Sequence, residues 1–303
     1  MIATLAMVAM LMAHEALTLT IEPMLDAALA ICAVGAVALL VHLRTPATRV
    51  RRICRDMVEY AGLFTAVCLL GALVTYPVAA LSRGFVDHAL ERIDALMWFD
   101  WMAWYDVVAQ RPWLQVVERT AYEAIYVSPV VLFAHFAIHD RRAEARAFIA
   151  SFWVAAIITV FLFACLPCRG PLAMAGYARL PYLPESALYQ ANLIPELRDH
   201  QVHQVALGSL RGLVGAPSFH TASAVLYIAA AWPIARLRWP LLALNVAMLL
   251  ATPVEGTHYL TDMIVGGAVA ATALAAVRLL LLAMAERQRF PAEERVSAAV
   301  LAP

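Results

Sequence analysis

The chain has 303 residues, of which 63% are hydrophobic and 15% are charged, and its mean hydropathy is +0.75. Soluble domains contain about 45–50% apolar and about 25% charged residues, so this composition argues against an ordinary soluble protein and indicates extensive contact with lipid. The formal net charge is +0, and all 22 basic residues are Arg. A neutral chain is a poor partner for nucleic acid, and a mechanism that uses a lysine is excluded.

Apolar segments of the length that crosses a bilayer, about 20 residues, recur along the chain. They predict an all-α transmembrane bundle with six core helices and two further N-terminal helices, at approximately 2–20, 24–43, 58–81, 113–138, 147–166, 219–235, 239–254 and 258–285. His14 and Glu15 interrupt the first segment, and no basic residues precede it. We therefore interpret it as a weak helix and not as a cleaved signal peptide.

These elements predict a single membrane domain over residues 1–303. We divide it into N-terminal helices over 1–146, a core over 147–285 and a cytoplasmic tail over 286–303. Within the first part, residues 82–112 are too polar to span, because acidic side chains alternate there with tryptophans such as Trp98, Trp101 and Trp104. This segment fits either a helix lying in the membrane interface or an ordinary surface helix over the bundle.

The arginines predict the orientation of the bundle. They concentrate in the segments 44–57, 139–146 and 236–238 and in the tail after residue 286. All four lie on one side if the predicted helices alternate, and basic loops are normally cytoplasmic. Segments 82–112, 167–218 and 254–258 then face the opposite side.

Two short patterns carry candidate chemistry, and each opens a predicted helix on the non-cytoplasmic side. They are Pro217-Ser218-Phe219-His220 and His258-Tyr259-Leu260-Thr261-Asp262. By chance a chain of this composition should contain P-S-x-H about 0.01 times and H-x-x-x-D about 0.3 times. The pattern P-S-x-H is therefore the more informative of the two. Each histidine alone fits an interfacial residue satisfied by backbone groups, whereas the pair on one face favours a functional site.

The residue types fit phosphoryl chemistry. His258 and Asp262 are i,i+4 neighbours on a helix, and a carboxylate on one ring nitrogen makes the other a better nucleophile. A second imidazole, His220, can protonate a leaving oxygen. Helix N-termini favour anions, so Ser218 and the backbone N–H groups around it suit a phosphate.

At these residues the sequence resembles the type 2 phosphatidic acid phosphatase superfamily, whose pattern is K-x6-R-P, then P-S-G-H, then S-R-x5-H-x3-D. The resemblance covers roughly 147–285 and is greatest to the inositol phosphotransferase branch, which includes inositol phosphorylceramide synthases. Two stretches are similar to that branch: Gly215-Ala216-Pro217-Ser218-Phe219-His220, and Gly256-Thr257-His258-Tyr259 followed by Asp262.

The resemblance implies a role for each matching residue. His258 would attack phosphorus, Asp262 would orient it, His220 would be the general acid and then the base, and Ser218 would contact the phosphate. The family uses no metal or other cofactor, so none is expected.

The sequence departs from the family pattern at three places. Phe219 replaces a Gly, and Ala251-Thr252 stand where Ser-Arg is usual, so one phosphate-binding Arg is missing. The first motif is degenerate, and we assign it to the stretch around Arg169, whose guanidinium can bind phosphate. Arg211 is a candidate replacement cation, with a plain loop arginine as the alternative.

The remaining candidates have simpler interpretations beside functional ones. The 167–218 segment is predicted to cap the active site and help to choose the acceptor. Arg119 and Glu123 form either a helix-packing ion pair or part of a headgroup cavity. His200 and His203 have metal-binding spacing but fit a solvated loop better. Cys165 and Cys168 form a CxxC that fits apolar packing, with a disulfide as an alternative.

We therefore expect a lipid phosphotransferase with a phosphohistidine intermediate, which moves a phospho-headgroup such as phosphoinositol between lipids. A lipid or isoprenoid phosphate phosphatase is the alternative, and an inactive scaffold or transporter is the alternative from another class. The expected partners are membrane lipids and a phospholipid, sphingolipid or isoprenoid phosphate substrate. The expected location is a bacterial cytoplasmic membrane, with the active site on its extracytoplasmic face.

Overall fold

The computed structural model describes residues 2–20, 48–184 and 190–300 as a helical bundle with a single pair of short strands. This confirms the predicted all-α class. In chain order the helices are α1 (Ile2–His14), α2 (Arg49–Leu81), α3 (Asp87–Leu96), α4 (Trp101–Ala109), α5 (Pro112–Tyr122), α6 (Val127–Ile138), α7 (Arg142–Cys165), α8 (Pro171–Ala175), α9 (Gln190–Arg198), α10 (Phe219–Ala231), α11 (Arg238–Glu255) and α12 (Leu260–Val300).

Four helices of the described residues are long and apolar enough to cross a membrane. They are Arg49–Leu81, Pro112–Ile138, Arg142–Cys165 and Leu260–Glu286, where the second joins α5 to α6 through the 3-10 turn Glu123–Tyr126. These helices fit the predicted multi-pass membrane protein. The predicted span at 24–43 lies outside the described residues.

Two predicted spans are shorter in the structure. The apolar helix α10 has 13 residues and ends at Ala231, just before Trp232 and Pro233. The helix α1 also has 13 residues and ends at His14. The chain after it forms strand β1 (Thr18–Thr20), which pairs in parallel with β2 (Gln204–Ala206). The weak helix predicted over 2–20 is therefore present but shorter: it ends at the polar pair His14-Glu15 that interrupts the apolar run, and Thr18–Thr20 pair with a distant loop.

Buried aromatic rings hold the centre of the bundle together. Phe64 of α2 lies 5.4 Å from Phe133 of α6 and 4.5 Å from Phe152 of α7, measured between ring centroids. Tyr227 of α10 stacks on Phe152 at 6.2 Å. Aromatic side chains bury a large area each, so these contacts fix α2, α6, α7 and α10 relative to one another.

Ion pairs join α2 to α7 at one end of the bundle. Arg142 at the start of α7 lies 3.0 Å from the fully buried Asp56 carboxylate of α2, and Arg146 lies 2.7 Å from Glu59. Arg52 pairs with Asp140 at 3.1 Å. Two of the arginine-rich segments therefore share one end of the bundle, as the alternation of helices requires.

The 82–112 segment forms two short helices, α3 and α4, against the other end of the bundle. The Trp101 indole donates a 2.7 Å hydrogen bond to the Pro253 carbonyl of α11. The backbone N–H of Val86 donates to the Pro167 carbonyl at 2.9 Å. Asp87 and Asp94 are buried. This segment therefore packs on the ends of α7 and α11, where both histidine motifs are found.

Candidate active site

The first motif lies at the start of α10. Ser218 is the N-cap residue, and its fully buried hydroxyl oxygen accepts hydrogen bonds from the Thr221 backbone N–H at 3.4 Å and the Thr221 hydroxyl at 3.2 Å. A capping serine satisfies an N–H that the helix leaves without a partner. His220 follows within the first helical turn, so the cap sets the position of its ring.

The second motif forms the junction between α11 and α12. Thr257 has a φ of 50°, in the left-handed region that a β-branched residue rarely adopts. The short helix α8 supports this conformation, because the Thr257 hydroxyl accepts a 3.0 Å hydrogen bond from the Leu172 N–H. Backbone strain of this kind is frequent at functional sites. The left-handed conformation of Thr257 reverses the chain, so that His258 turns into the bundle and does not continue α11.

His258 and Asp262 form a buried pair. The His258 Nδ1 and Asp262 Oδ1 atoms are 3.0 Å apart, and the side chains are 4% and 1% exposed. Neither atom forms an aligned hydrogen bond within the described residues, so the contact is a close electrostatic pairing. The second oxygen of Asp262 accepts the Tyr259 N–H at 2.8 Å. The carboxylate is thus held beside the ring, and Nε2 is the ring nitrogen not engaged by it.

The two motifs dock directly on each other. The Ser218 backbone N–H donates a 3.1 Å hydrogen bond to the Asp262 carbonyl. One turn further along α12, Gly266 lies against the Ser218 carbonyl so closely that a side-chain Cβ there would clash with it. The absence of a side chain at Gly266 is what allows α10 and α12 to approach at this level.

Tyr122 of α5 brings the two histidines together. Its hydroxyl lies 3.1 Å from His220 Nδ1, and its ring stacks on the imidazole with centroids 4.0 Å apart. A Cβ placed on Gly256 would meet that hydroxyl at 3.0 Å and the His258 ring carbon Cδ2 at 2.6 Å. His220 and His258 also interact electrostatically. The structure therefore places both imidazoles at one site.

Asp94 of α3 caps α12, the helix that begins just after His258. Its carboxylate accepts the Leu260 N–H at 2.8 Å, the Thr261 N–H at 2.7 Å and the Thr261 hydroxyl at 2.5 Å. With the Tyr259 N–H bound to Asp262, the start of α12 is occupied by carboxylates. A carboxylate therefore already stabilises the dipole at the start of α12, and the prediction of a phosphate contact concerns the start of α10 at Ser218 alone.

The loop after α7 carries Arg169 next to both motifs. A Cβ on Gly170 would meet the Thr257 carbonyl at 2.6 Å, and one on Gly215 would meet Cys168 Sγ at 2.6 Å. The buried Asp87 carboxylate accepts the Arg169 N–H at 3.0 Å and the Gly170 N–H at 2.9 Å. The backbone of this loop is thus fixed, while the Arg169 side chain is exposed.

A second cation that the sequence analysis missed lies near Arg169. The Arg169 and Arg198 guanidinium groups both contact the Phe85 ring, at 4.9 Å and 4.3 Å from its centroid. Burial and the nearby Arg169 charge lower the pKa of Arg198. Two arginines held within electrostatic range favour an anion.

Two further positions concern the positive charge of the site: Arg211, the other predicted cation, and Thr252, which stands where the family has an arginine. Arg211 is exposed in the loop before α10, with its N–H 3.5 Å from the Tyr76 hydroxyl of α2. Thr252, at the position of the family arginine, is fully buried and donates its hydroxyl to the Met248 carbonyl at 2.7 Å. Thr252 thus supports its own helix and offers no positive charge.

Part of the 167–218 segment covers the site end of α11. The Tyr182 hydroxyl donates a 2.5 Å hydrogen bond to the buried Glu255 carboxylate. The Tyr105 hydroxyl donates to the Tyr182 carbonyl at 2.7 Å. These contacts hold the loop beside the residues that precede His258, so its role in choosing an acceptor stays a prediction with a structural basis.

The remaining candidates from the sequence are an ion pair and two loop histidines. Arg119 pairs with Glu123 at 3.6 Å, as their spacing predicted. His200 is exposed and lies 4.0 Å from Glu15, and no group of three or more metal-ligand side chains occurs in the residues that the structure describes.

Cys165 and Cys168 are both free thiols. Burial, followed by the nearby Asp262 and Asp87 charges, raises the pKa of Cys168. This thiol is therefore protonated and unreactive.

Sequence reasoning missed the residues that join separate segments. Tyr122, Asp87 and Asp94 each contact a motif from far away in the chain. One available signal was the seven-residue spacing of Asp87 and Asp94, which puts them on one face of a helix. Nothing in the sequence linked Tyr122 to His220.

Comparison with known families agrees with the geometry. The family profile described as the PAP2 superfamily matches residues 88–276. This match supports a lipid phosphatase or phosphotransferase type of function, and it confirms the superfamily resemblance, while the inositol phosphotransferase branch stays a prediction. No curated protein and no solved structure matches the chain.

Proposed function

The chain belongs to the PAP2 superfamily, and from that premise we propose that it transfers a phosphoryl group or phospho-headgroup from a lipid through a phosphohistidine on His258. The observation that carries the proposal is the buried His258–Asp262 pair, 3.0 Å apart, joined through Tyr122 to a second imidazole. An isolated structural histidine would need neither a buried carboxylate nor a second histidine.

In the first step, Nε2 of His258 attacks phosphorus. The bond between phosphorus and the leaving oxygen breaks. His220, held in its imidazolium form by the negative charge of the bound phosphate, gives its Nε2 proton to that oxygen. Asp262 faces Nδ1 of His258, so it stabilises the positive charge that the ring acquires. Arg169 would neutralise the phosphate oxygens, with Arg198 beside it and Ser218 and Arg211 as further candidate contacts.

In the second step, the oxygen of water or of an alcohol attacks phosphorus and passes its proton to Nε2 of His220. The bond between phosphorus and His258 breaks, and both histidines return to their starting states. Throughout, Nδ1 of His220 keeps its proton, and in this tautomer the Nδ1–H group donates a hydrogen bond to the Tyr122 hydroxyl oxygen, 3.1 Å away. Tyr122 would thereby hold His220 in the form that can act as a base at Nε2.

The acceptor distinguishes a transferase from a phosphatase. We favour transfer to a lipid hydroxyl, because the family arginine position holds the buried Thr252. A phosphodiester carries one negative charge and needs fewer cations than a phosphomonoester, so this loss suits a diester substrate. Hydrolysis of a lipid or isoprenoid phosphate is the second candidate, supported by the superfamily match alone.

The test is turnover by purified protein in lipid nanodiscs, with phosphatidic acid, an isoprenoid phosphate and a phosphodiester lipid, each with and without a diacylglycerol or ceramide acceptor. We expect product from the wild type and an acid-labile phosphoenzyme, and neither from His258→Ala. His88→Ala is the matched control, because His88 is 79% exposed on α3. A new phosphorylated lipid supports transfer, and free phosphate supports hydrolysis. Equal behaviour of the wild type and His258→Ala would refute the mechanism and favour a scaffold.

A further inference from the structure

Two carboxylates lie beside the candidate active site and have no part in the proposed mechanism. Glu118 of α5 is 8% exposed and Glu255 at the end of α11 is 4% exposed. They stand on helices that pack against each other, α5 and α11. Arg119, next to Glu118 in the chain, pairs with Glu123 at 3.6 Å. Acidic side chains therefore outnumber this arginine here, although the neighbouring site is proposed to bind phosphate.

The Glu118 side chain has an unsatisfied atom. Its Oε2 atom is buried and has no hydrogen-bond partner among the described residues. Most buried polar side-chain atoms in folded proteins have a partner, and a buried carboxylate oxygen without one is costly. Such an atom beside an active site indicates a place for a donor that arrives with the substrate.

The position of the pair relative to the histidines is set by two helices. Glu118 and Tyr122 are i,i+4 neighbours and share one face of α5, and Tyr122 contacts His220. Glu255 is followed by Gly256, against which the Tyr122 hydroxyl and the His258 ring both lie. Glu118 therefore lies one helical turn from the tyrosine that contacts His220, and Glu255 lies next to the glycine that contacts the His258 ring, so both carboxylates flank the site where the phosphorus would bind.

We propose that Glu118 and Glu255 form a subsite for the hydrogen-bond-donating part of the substrate headgroup, either its hydroxyl groups or an ammonium group. This inference rests on the proposed function, because the headgroup is the alcohol bonded to the reacting phosphorus. Glu118 Oε2 accepts a hydrogen bond from the headgroup, and Glu255, already bound by the Tyr182 hydroxyl, supplies a second acceptor. A headgroup without donors would leave Glu118 unsatisfied.

The test is equilibrium binding to the full-length protein in nanodiscs, measured by calorimetry without turnover. Three soluble phosphate monoesters serve as probes: glycerol 1-phosphate, phosphoethanolamine and n-propyl phosphate. They carry hydroxyl groups, an ammonium group and neither, respectively. We expect at least one of the first two to bind about tenfold more tightly than n-propyl phosphate, the factor expected for one hydrogen bond to a charged group.

The variants then assign the preference to the subsite. Glu118→Gln should reduce it to about twofold or less, because the variant loses the charge. Glu144→Gln, on a partly exposed partner of Arg141 at the opposite end of the bundle, should leave it intact. Which probe binds more tightly identifies the donor. Equal binding of all three probes to the wild type, or an unchanged preference in Glu118→Gln, would overturn the inference. Neither result depends on His258, so failure here differs from failure of the phosphohistidine mechanism.

Discussion

Removal of the Asp94 carboxylate should loosen the start of α12, which holds His258 beside Asp262. In Asp94→Ala, the N–H groups of Leu260 and Thr261 and the Thr261 hydroxyl lose their acceptor. An N-cap contributes about 1 kcal/mol and a hydrogen bond to a charged group about 1.5–3 kcal/mol. Leu260 and Thr261 are half-buried, so water replaces part of the loss, and we expect a net cost of about 2–4 kcal/mol.

The assay is thermal unfolding of the purified protein, followed by intrinsic fluorescence, together with turnover at a temperature where all variants are folded. A cost of this size lowers Tm by on the order of 10 °C in a chain of this length. Asp94→Asn keeps only one acceptor oxygen and should fall between Ala and the wild type.

The matched control is Asp100→Ala, which removes a single exposed cap, at 3.1 Å from the Ala103 N–H. Its Tm should fall by only about 2–4 °C. If Asp94→Ala and Asp100→Ala shift Tm equally and both keep full turnover, the idea that α3 holds His258 in place is wrong.

Two further predictions test the histidine pair and the orientation. Tyr122→Phe keeps the ring stacked on His220 but removes the hydroxyl, so kcat should fall about 2- to 10-fold and the pH–rate profile should shift. Tyr126→Phe, at a 76% exposed position one turn away, should change neither, and equal effects would remove Tyr122 from the mechanism. A membrane-impermeant maleimide on intact cells should label a variant whose single cysteine is the exposed Cys165, and a variant with only Cys54 should need permeabilised cells. The opposite pattern would reverse the predicted orientation.

The spans and the two motifs could be predicted because each depends on residues that lie close together in the chain. Lipid contact requires long apolar runs, and these marked α2, α7 and α12 directly. The i,i+4 spacing likewise placed His258 beside Asp262. At α1 the polar pair His14-Glu15 showed that the helix is weak, but not that the chain after it forms a strand with a distant loop.

The contacts between segments could not be predicted in the same way. Asp94 looks like any acidic residue of an amphipathic helix, and its role appears only when α3 packs on the start of α12. Glu118 similarly stands in an apolar run, and its proposed role in a headgroup subsite depends on Glu255, which is distant in sequence. Such pairings depend on how helices pack, and a single sequence carries no direct record of that packing.

The Asp87 carboxylate constrains how a lipid can enter. This one group binds the Arg169 and Gly170 N–H groups and also the Tyr259 hydroxyl at 3.2 Å. Lifting α3 away from the bundle would strand two amides and a phenol together with a buried negative charge, a cost that a passing substrate does not repay. We therefore expect α3 to stay docked during the reaction cycle, so that acyl chains approach between helices on a flank that α3 leaves open.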